Sequence, residues 1–89
     1  MSFFKKLFGQ APRPAPEPEM HEGYRIFPEP VDEPGGFRVA ARIEKEIGGE
    51  IKTHRMIRAD TYAAPEIARQ ASIDKARQLI DQQGERIFG

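Results

Sequence analysis

From Phe37 to Ile47 the chain runs without a glycine or proline, between Glu33-Pro34-Gly35-Gly36 on one side and Gly48-Gly49 on the other. Proline presets φ and paired glycines accept φ > 0, so both brackets are reversal chemistry. Within them Phe37, Val39, Ala41, Ile43 and Ile47 recur at period two, with Arg38, Arg42, Glu44 and Glu46 on the alternate face. This segment is the expected central strand of an antiparallel sheet. Before it, Tyr24 to Asp32 is β-compatible but interrupted by Pro28 and Pro30, which cannot donate to a ladder and belong on a sheet edge. After it, Glu50 to Arg58 alternates again, with Ile51, Thr53 and Ile57 on one side.

Two registers compete for the second hairpin. A two-residue Gly-Gly loop sets Lys45 against Lys52 and Ile43 against His54, mixing charged and apolar faces. A three-residue loop, Gly48-Gly49-Glu50, instead pairs Ile47 with Ile51, Glu46 with Lys52 and Glu44 with His54. The second is the expected register, with a glycine bulge. It turns Arg55 toward the core margin, where the guanidinium needs a carboxylate or carbonyl partner.

Pro65 suits a first helical position, Glu66 the positive end of the helix dipole and Gly84 a C-terminal cap, which predicts a helix of about five turns. At 100° per residue Ala68, Ser72, Ile73, Ala76, Leu79 and Ile80 share one arc, opposite Gln70, Asp74, Arg77, Gln78 and Asp81. That arc is expected on the sheet, with the small Ala68 and Ala76 leaving room for Phe37, Ile43 and Ile57. Ile87 and Phe88 are expected beneath the helix end. The fold class is α+β: a three-stranded antiparallel β-meander followed by one C-terminal α-helix packed on one sheet face, β-β-β-α.

Eighty-nine residues allow one small domain. Four of the eight prolines fall between Pro12 and Pro18, a composition that favours extended polyproline II conformers. The expected division is a short amphipathic head at 1–9, a flexible linker at 10–22 and the folded domain at 23–89. Fourteen Lys+Arg balance fourteen Asp+Glu, and the balance holds in each third of the chain, which disfavours a polyanion binder working through bulk charge. Without cysteine there is no disulfide framework, thiolate nucleophile or Cys-ligated zinc. No apolar run approaches the roughly 18 residues of a membrane span or the 7–15 of a signal-peptide core, so a cytoplasmic protein is expected.

Chemistry is sparse. The body holds one histidine, His54, and neither Ser2 nor Ser72 is placed to form a nucleophile with it. No glycine-rich phosphate loop or regular metal-ligand spacing occurs, so no catalytic residue, cofactor, metal or small-molecule substrate is expected. The open sheet face carries more information. In the expected register it shows Arg25, Arg38, Arg42, Lys52 and Arg58 against Glu44 and Glu46, with His54 across from Glu44 and Phe27, Ala40 and Met56 set among them. Five cations against two anions leave a local excess of three. Arginine interleaved with an aromatic suits phosphate contact and base stacking. The same face suits a protein partner, a homodimer seam around Phe27, Ala40 and Met56, or a merely solvated surface. Helix-turn-helix readers need a second helix behind the recognition helix, and one substantial helix is visible here. In the head, Phe3, Phe4, Leu7 and Phe8 recur at helical spacing opposite Lys5 and Lys6, an element that suits an anionic membrane surface or a hydrophobic groove.

Four blocks, MSFFKKLFG, RVAARIEKEIGGE, HRMIRAD and KARQLIDQQGERIF, occur in that order. Together they resemble the HlyU-type family of small proteobacterial regulators. The resemblance covers the head and nearly the whole body, and it implies transcriptional activation of a haemolysin gene, and with it contact with nucleic acid. The matching positions are Arg42, Glu44, Lys45 and Glu46, then His54, Arg55, Arg58, Ala59 and Asp60, then Gln78 to Phe88. Ala63-Ala64 stands where a serine cap is expected before Pro65, which leaves the helix start about 1 kcal/mol short of a capped one.

Overall fold

The computed structural model describes residues 17–89. The head and most of the proline-rich segment lie outside the described residues. The elements are β1 (Glu19–His21), β2 (Tyr24–Pro28), β3 (Val31–Glu33), β4 (Gly36–Ile47), β5 (Glu50–Tyr62), α1 (Pro65–Gln83) and a closing 3-10 turn at Gly84–Phe88. The sheet is antiparallel throughout, and one face is covered by α1. The expected α+β class with one C-terminal helix is present, but the sheet has five strands rather than three.

Both extra strands have local causes. The prolines split the expected first strand in two: β2 and β3 lie one after the other along the same side of β4, registered by Ile26 on Ile43 and by Val31 on Arg38. At the break, the Ala40 carbonyl accepts from the Glu29 N–H at 2.9 Å. Its N–H donates to Ser72 Oγ at 3.1 Å, and the Ser72 hydroxyl donates to the Ala68 carbonyl at 2.7 Å. Ser72 is fully buried, so α1 supplies the hydrogen bond that the broken strand does not. β1 comes from residues 19–21 of the segment read as linker. Glu22 and Gly23 both take positive φ, 52° and 84°, as a two-residue hairpin turn requires, and β1 folds back on β2. Two ion pairs then tie it to the helix, Glu19 with Arg77 and His21 Nε2 with Asp81 at 2.8 Å.

The β4–β5 hairpin takes the register that the sequence argument rejects. Ile47 faces Glu50, Lys45 faces Lys52 and Ile43 faces His54 across a Gly48-Gly49 turn with φ of 60° and 83°. The like charges do not meet, because their side chains leave in different directions. Lys45 Nζ lies 4.5 Å from the Tyr24 ring centre and 3.1 Å from Glu85, whereas Lys52 pairs with Glu50 at 3.0 Å. A one-residue change of register turns every side chain of a strand over. Met56 therefore enters the core opposite Ala41, and Arg55 turns out to solvent with Ile57 instead of inward. Burying one thioether while leaving a guanidinium hydrated is the cheaper arrangement. Between Arg38 and Ala40 the register slips by a bulge on β5. Beyond it Gly36 sits at φ 134°, where a Cβ would meet the Tyr62 carbonyl oxygen at 2.9 Å. Only glycine fits there.

The core joins Tyr24, Ile26, Val39, Ala41, Ile43 and Met56 of the sheet to Ile73, Ala76 and Ile80 of α1 and to Ile87. The helix arc is as expected, with Ala68, Ser72, Ile73, Ala76 and Ile80 buried. Of the expected Phe37, Ile43 and Ile57 only Ile43 is in the core: Phe37 is half-buried outside it and Ile57 is 60% exposed. Ala64 caps α1 without a side-chain hydrogen bond, in line with the missing serine. The terminal turn folds back as expected: Ile87 is buried and Phe88 stacks on Tyr24 with ring centres 6.1 Å apart.

Candidate interaction surface

Strand pairing assigns each candidate side chain to a face. Arg25 of β2 faces Glu44, Phe27 faces Arg42, Arg42 faces Arg55 and Ala40 faces Ile57. These residues, with Arg38, share the open face. Lys52, His54 and Met56 face Lys45, Ile43 and Ala41, on the side that carries α1. The eight side chains expected on one surface thus divide. Arg25, Phe27, Arg38 and Arg42 remain together, while Lys52, His54 and Met56 lie on the other side. Arg58, the eighth, begins the bulge, half-buried. The cause is the two-residue turn, which moves β5 by one position. In place of the lost residues the open face gains Ile51, Thr53, Arg55 and Ile57. Two adjacent glycines, both free to take φ > 0, were the signal for that turn. A homodimer seam through Met56 is ruled out by its burial at 4% exposure.

The expected surplus of positive charge is also absent from this face. Arg38 is gripped by Glu33, with Nη2 at 2.8 Å and Nε at 2.9 Å, and its Nη1 donates to the Arg58 carbonyl at the bulge at 3.1 Å. The Glu33 carboxyl is held below its usual range by those hydrogen bonds from Arg38. Arg42 Nε reaches Glu29 at 3.2 Å, its Nη1 pairs with Glu44, and its guanidinium lies 4.0 Å over the Phe27 ring. Burial pulls the Arg42 pKa down, but the bonds to Glu29 and Glu44 outweigh it and the net shift is upward. Arg25 shares Glu44 at 3.7 Å. Glu29 and Glu33, on the split strand region, bring the carboxylates that the register argument left out of the tally.

The chemical consequence is direct. A guanidinium already committed to a carboxylate must give up that partner before it binds phosphate, and a ring covered by a guanidinium offers no free face for base stacking. Beside the exposed Glu46, Thr53 and Arg55, the face also exposes apolar side chains: Met20, Val31, Ile51 and Ile57 are among the exposed large hydrophobics. Among the described residues no group of three or more His, Asp or Glu side chains gathers as a metal site, and no helix is long and apolar enough to cross a membrane.

Comparison with curated proteins and with solved structures returned no match. The sequence pattern described as "Transcriptional activator HlyU" matches residues 2–88, nearly the entire chain. With that coverage, and with the four sequence blocks lying within it, the chain belongs to the HlyU family.

Proposed function

We propose that this protein is a non-enzymatic cytoplasmic regulator of transcription that works through a protein partner held on the open sheet face. Family membership supports the regulatory role. The observation that carries the mode of action is the pairing of Arg25, Arg38 and Arg42 with Glu29, Glu33 and Glu44. This pairing turns Arg25, Arg38 and Arg42 into a brace for the sheet, while Ile51 and Ile57 supply apolar contact area. A mixed face of that kind suits a protein interface better than a phosphate backbone. The amphipathic segment Phe3, Phe4, Lys5, Lys6, Leu7 and Phe8 is a second contact element, for a partner groove or an anionic membrane surface; it lies outside the described residues.

Titrating the full chain against mixed-sequence duplex DNA at low and physiological salt tests this reading. The expected outcome is no binding tighter than the nonspecific range of about 10⁻⁴ to 10⁻⁶ M at physiological salt. Saturable, salt-sensitive binding that weakens in an Arg25→Ala/Arg42→Ala/Arg55→Ala variant would instead assign the face to nucleic acid.

A further inference from the structure

β5 is thirteen residues long and, among the described residues, pairs with β4 alone. The two-residue turn settles which of its backbone groups are used. In a ladder closed that way the pair next to the turn, Ile47 and Glu50, exchanges both hydrogen bonds, and the pattern alternates from there. Lys52, His54 and Met56 therefore point N–H and C=O toward β4, while Ile51, Thr53, Arg55 and Ile57 point theirs outward. Ile51 and Ile57 also expose their side chains, at 55% and 60%. An uncovered edge of this length is a template for another strand.

We propose that a second copy of this chain occupies that edge, with β5 pairing antiparallel to β5 about a two-fold axis through His54, so that two sheets become one. A two-fold axis normal to the sheet pairs residues of like parity, and its position fixes every pair. Placed at Arg55, it sets Arg55 against itself, Lys52 against Arg58 and Glu50 against Asp60, all like charges. At Met56 it sets His54 against Arg58 and Ile57 against Arg55, and the pairing runs into the bulge. At Thr53 it sets Lys52 against His54 and Ile51 against Arg55. At His54 the pairs become Ile51 with Ile57, Thr53 with Arg55 and Glu50 with Arg58, each formed twice. The outward amides at 51, 53, 55 and 57 then all fall on hydrogen-bonded pairs, Ile51 with Ile57 is apolar on apolar and Glu50 with Arg58 opposite on opposite charge, while His54 meets itself and Lys52 meets Met56, with no pair of fixed like charges.

The charges at the two ends of the seam fit the same register. Arg58 is half-buried, and no carboxylate of the described residues pairs with it. The partner copy's carboxylate at position 50 would stand across from it, and Glu50 is 71% exposed with Lys52 as its ion partner. The bulge following Arg58 bends the strand and confines pairing to residues 50–58.

The full-length chain, followed by sedimentation equilibrium, is expected to form a concentration-dependent dimer. Glu50→Lys opposes two like charges at both ends of the seam and should weaken association at least about a hundredfold, as should Arg58→Glu. The double exchange Glu50→Lys/Arg58→Glu should restore it, which simple misfolding would not do. Because the chain has no cysteine, the register can be read covalently. His54→Cys places two sulfurs across the axis at a Cα separation of about 4.5 Å, within disulfide reach, and should cross-link on oxidation, while Thr53→Cys and Arg55→Cys should not. A monomer at all concentrations, association not restored by the charge exchange, or preferential linkage through position 55 would each overturn the proposal. The regulatory reading shares Ile51 and Ile57 with this seam but is tested separately, by DNA titration, so the two can fail independently.

Discussion

The sheet has two unlike margins. On the β1 side the last strand is three residues long and is strapped to α1 by Glu19–Arg77 and His21–Asp81. On the β5 side thirteen residues end the sheet with no neighbour among the described residues. Short, charged, tied-down edges are how soluble proteins avoid unwanted strand pairing. The contrast sets a margin of short strands, one of them strapped to the helix, against a long strand edge on which the proposed second copy would pair.

The comparison can be broken at its base by testing which parity of β5 is inside. Met56→Ala should cost about 2–4 kcal/mol, whereas Ile57→Ala, in the monomeric Glu50→Lys background, should cost under about 0.5 kcal/mol, both read from urea midpoints. Equal costs, or the reverse order, would restore the rejected register. The seal at the β2–β3 break comes next: Ser72→Ala leaves the buried Ala40 N–H unpaired and should cost about 1–3 kcal/mol.

The β1 straps should be weaker. A double-mutant cycle on Glu19 and Arg77 should give a coupling of about 0.2–1 kcal/mol, because both side chains are substantially exposed. The smallest effect concerns Glu33. Its pKa lies below the ordinary carboxylate value, so the Arg38 pair stabilises the fold above that ordinary value and its contribution is lost as pH falls through the lowered one. Glu33→Gln should flatten the acid limb of a stability-versus-pH curve, its small cost appearing near neutrality and vanishing at low pH.

These outcomes also show what was legible beforehand. The helix could be read on its buried arc except that Leu79 is only half-buried, because a 3.6-residue period sustained from Ala68 to Ile80 has few competing explanations. β4 was equally clear from its alternation. β5 was not, since its odd positions Ile51, Thr53 and Ile57 look more like a core than Lys52, His54 and Met56 do. Hydropathy therefore favoured the wrong parity, and turn geometry decided for the right one. The open face inherited that error, losing Lys52, His54 and Met56 and gaining Arg55 and Ile57. β1 was hidden because Glu22-Gly23, with no proline or second glycine, is a modest turn signal beside a proline-rich stretch. The neutral face was hidden because its carboxylates, Glu29 and Glu33, come from the region where prolines break the strand and no single alternation spans them.

Amide hydrogen exchange along β5, measured at low and high protein concentration, tests the whole account most directly. The amides of Lys52, His54 and Met56 should be protected at both concentrations, and those of Ile51, Thr53, Arg55 and Ile57 should gain protection only at the higher one. Protection of the opposite parity at low concentration would contradict the register, and outward amides that exchange freely at every concentration would contradict the second copy.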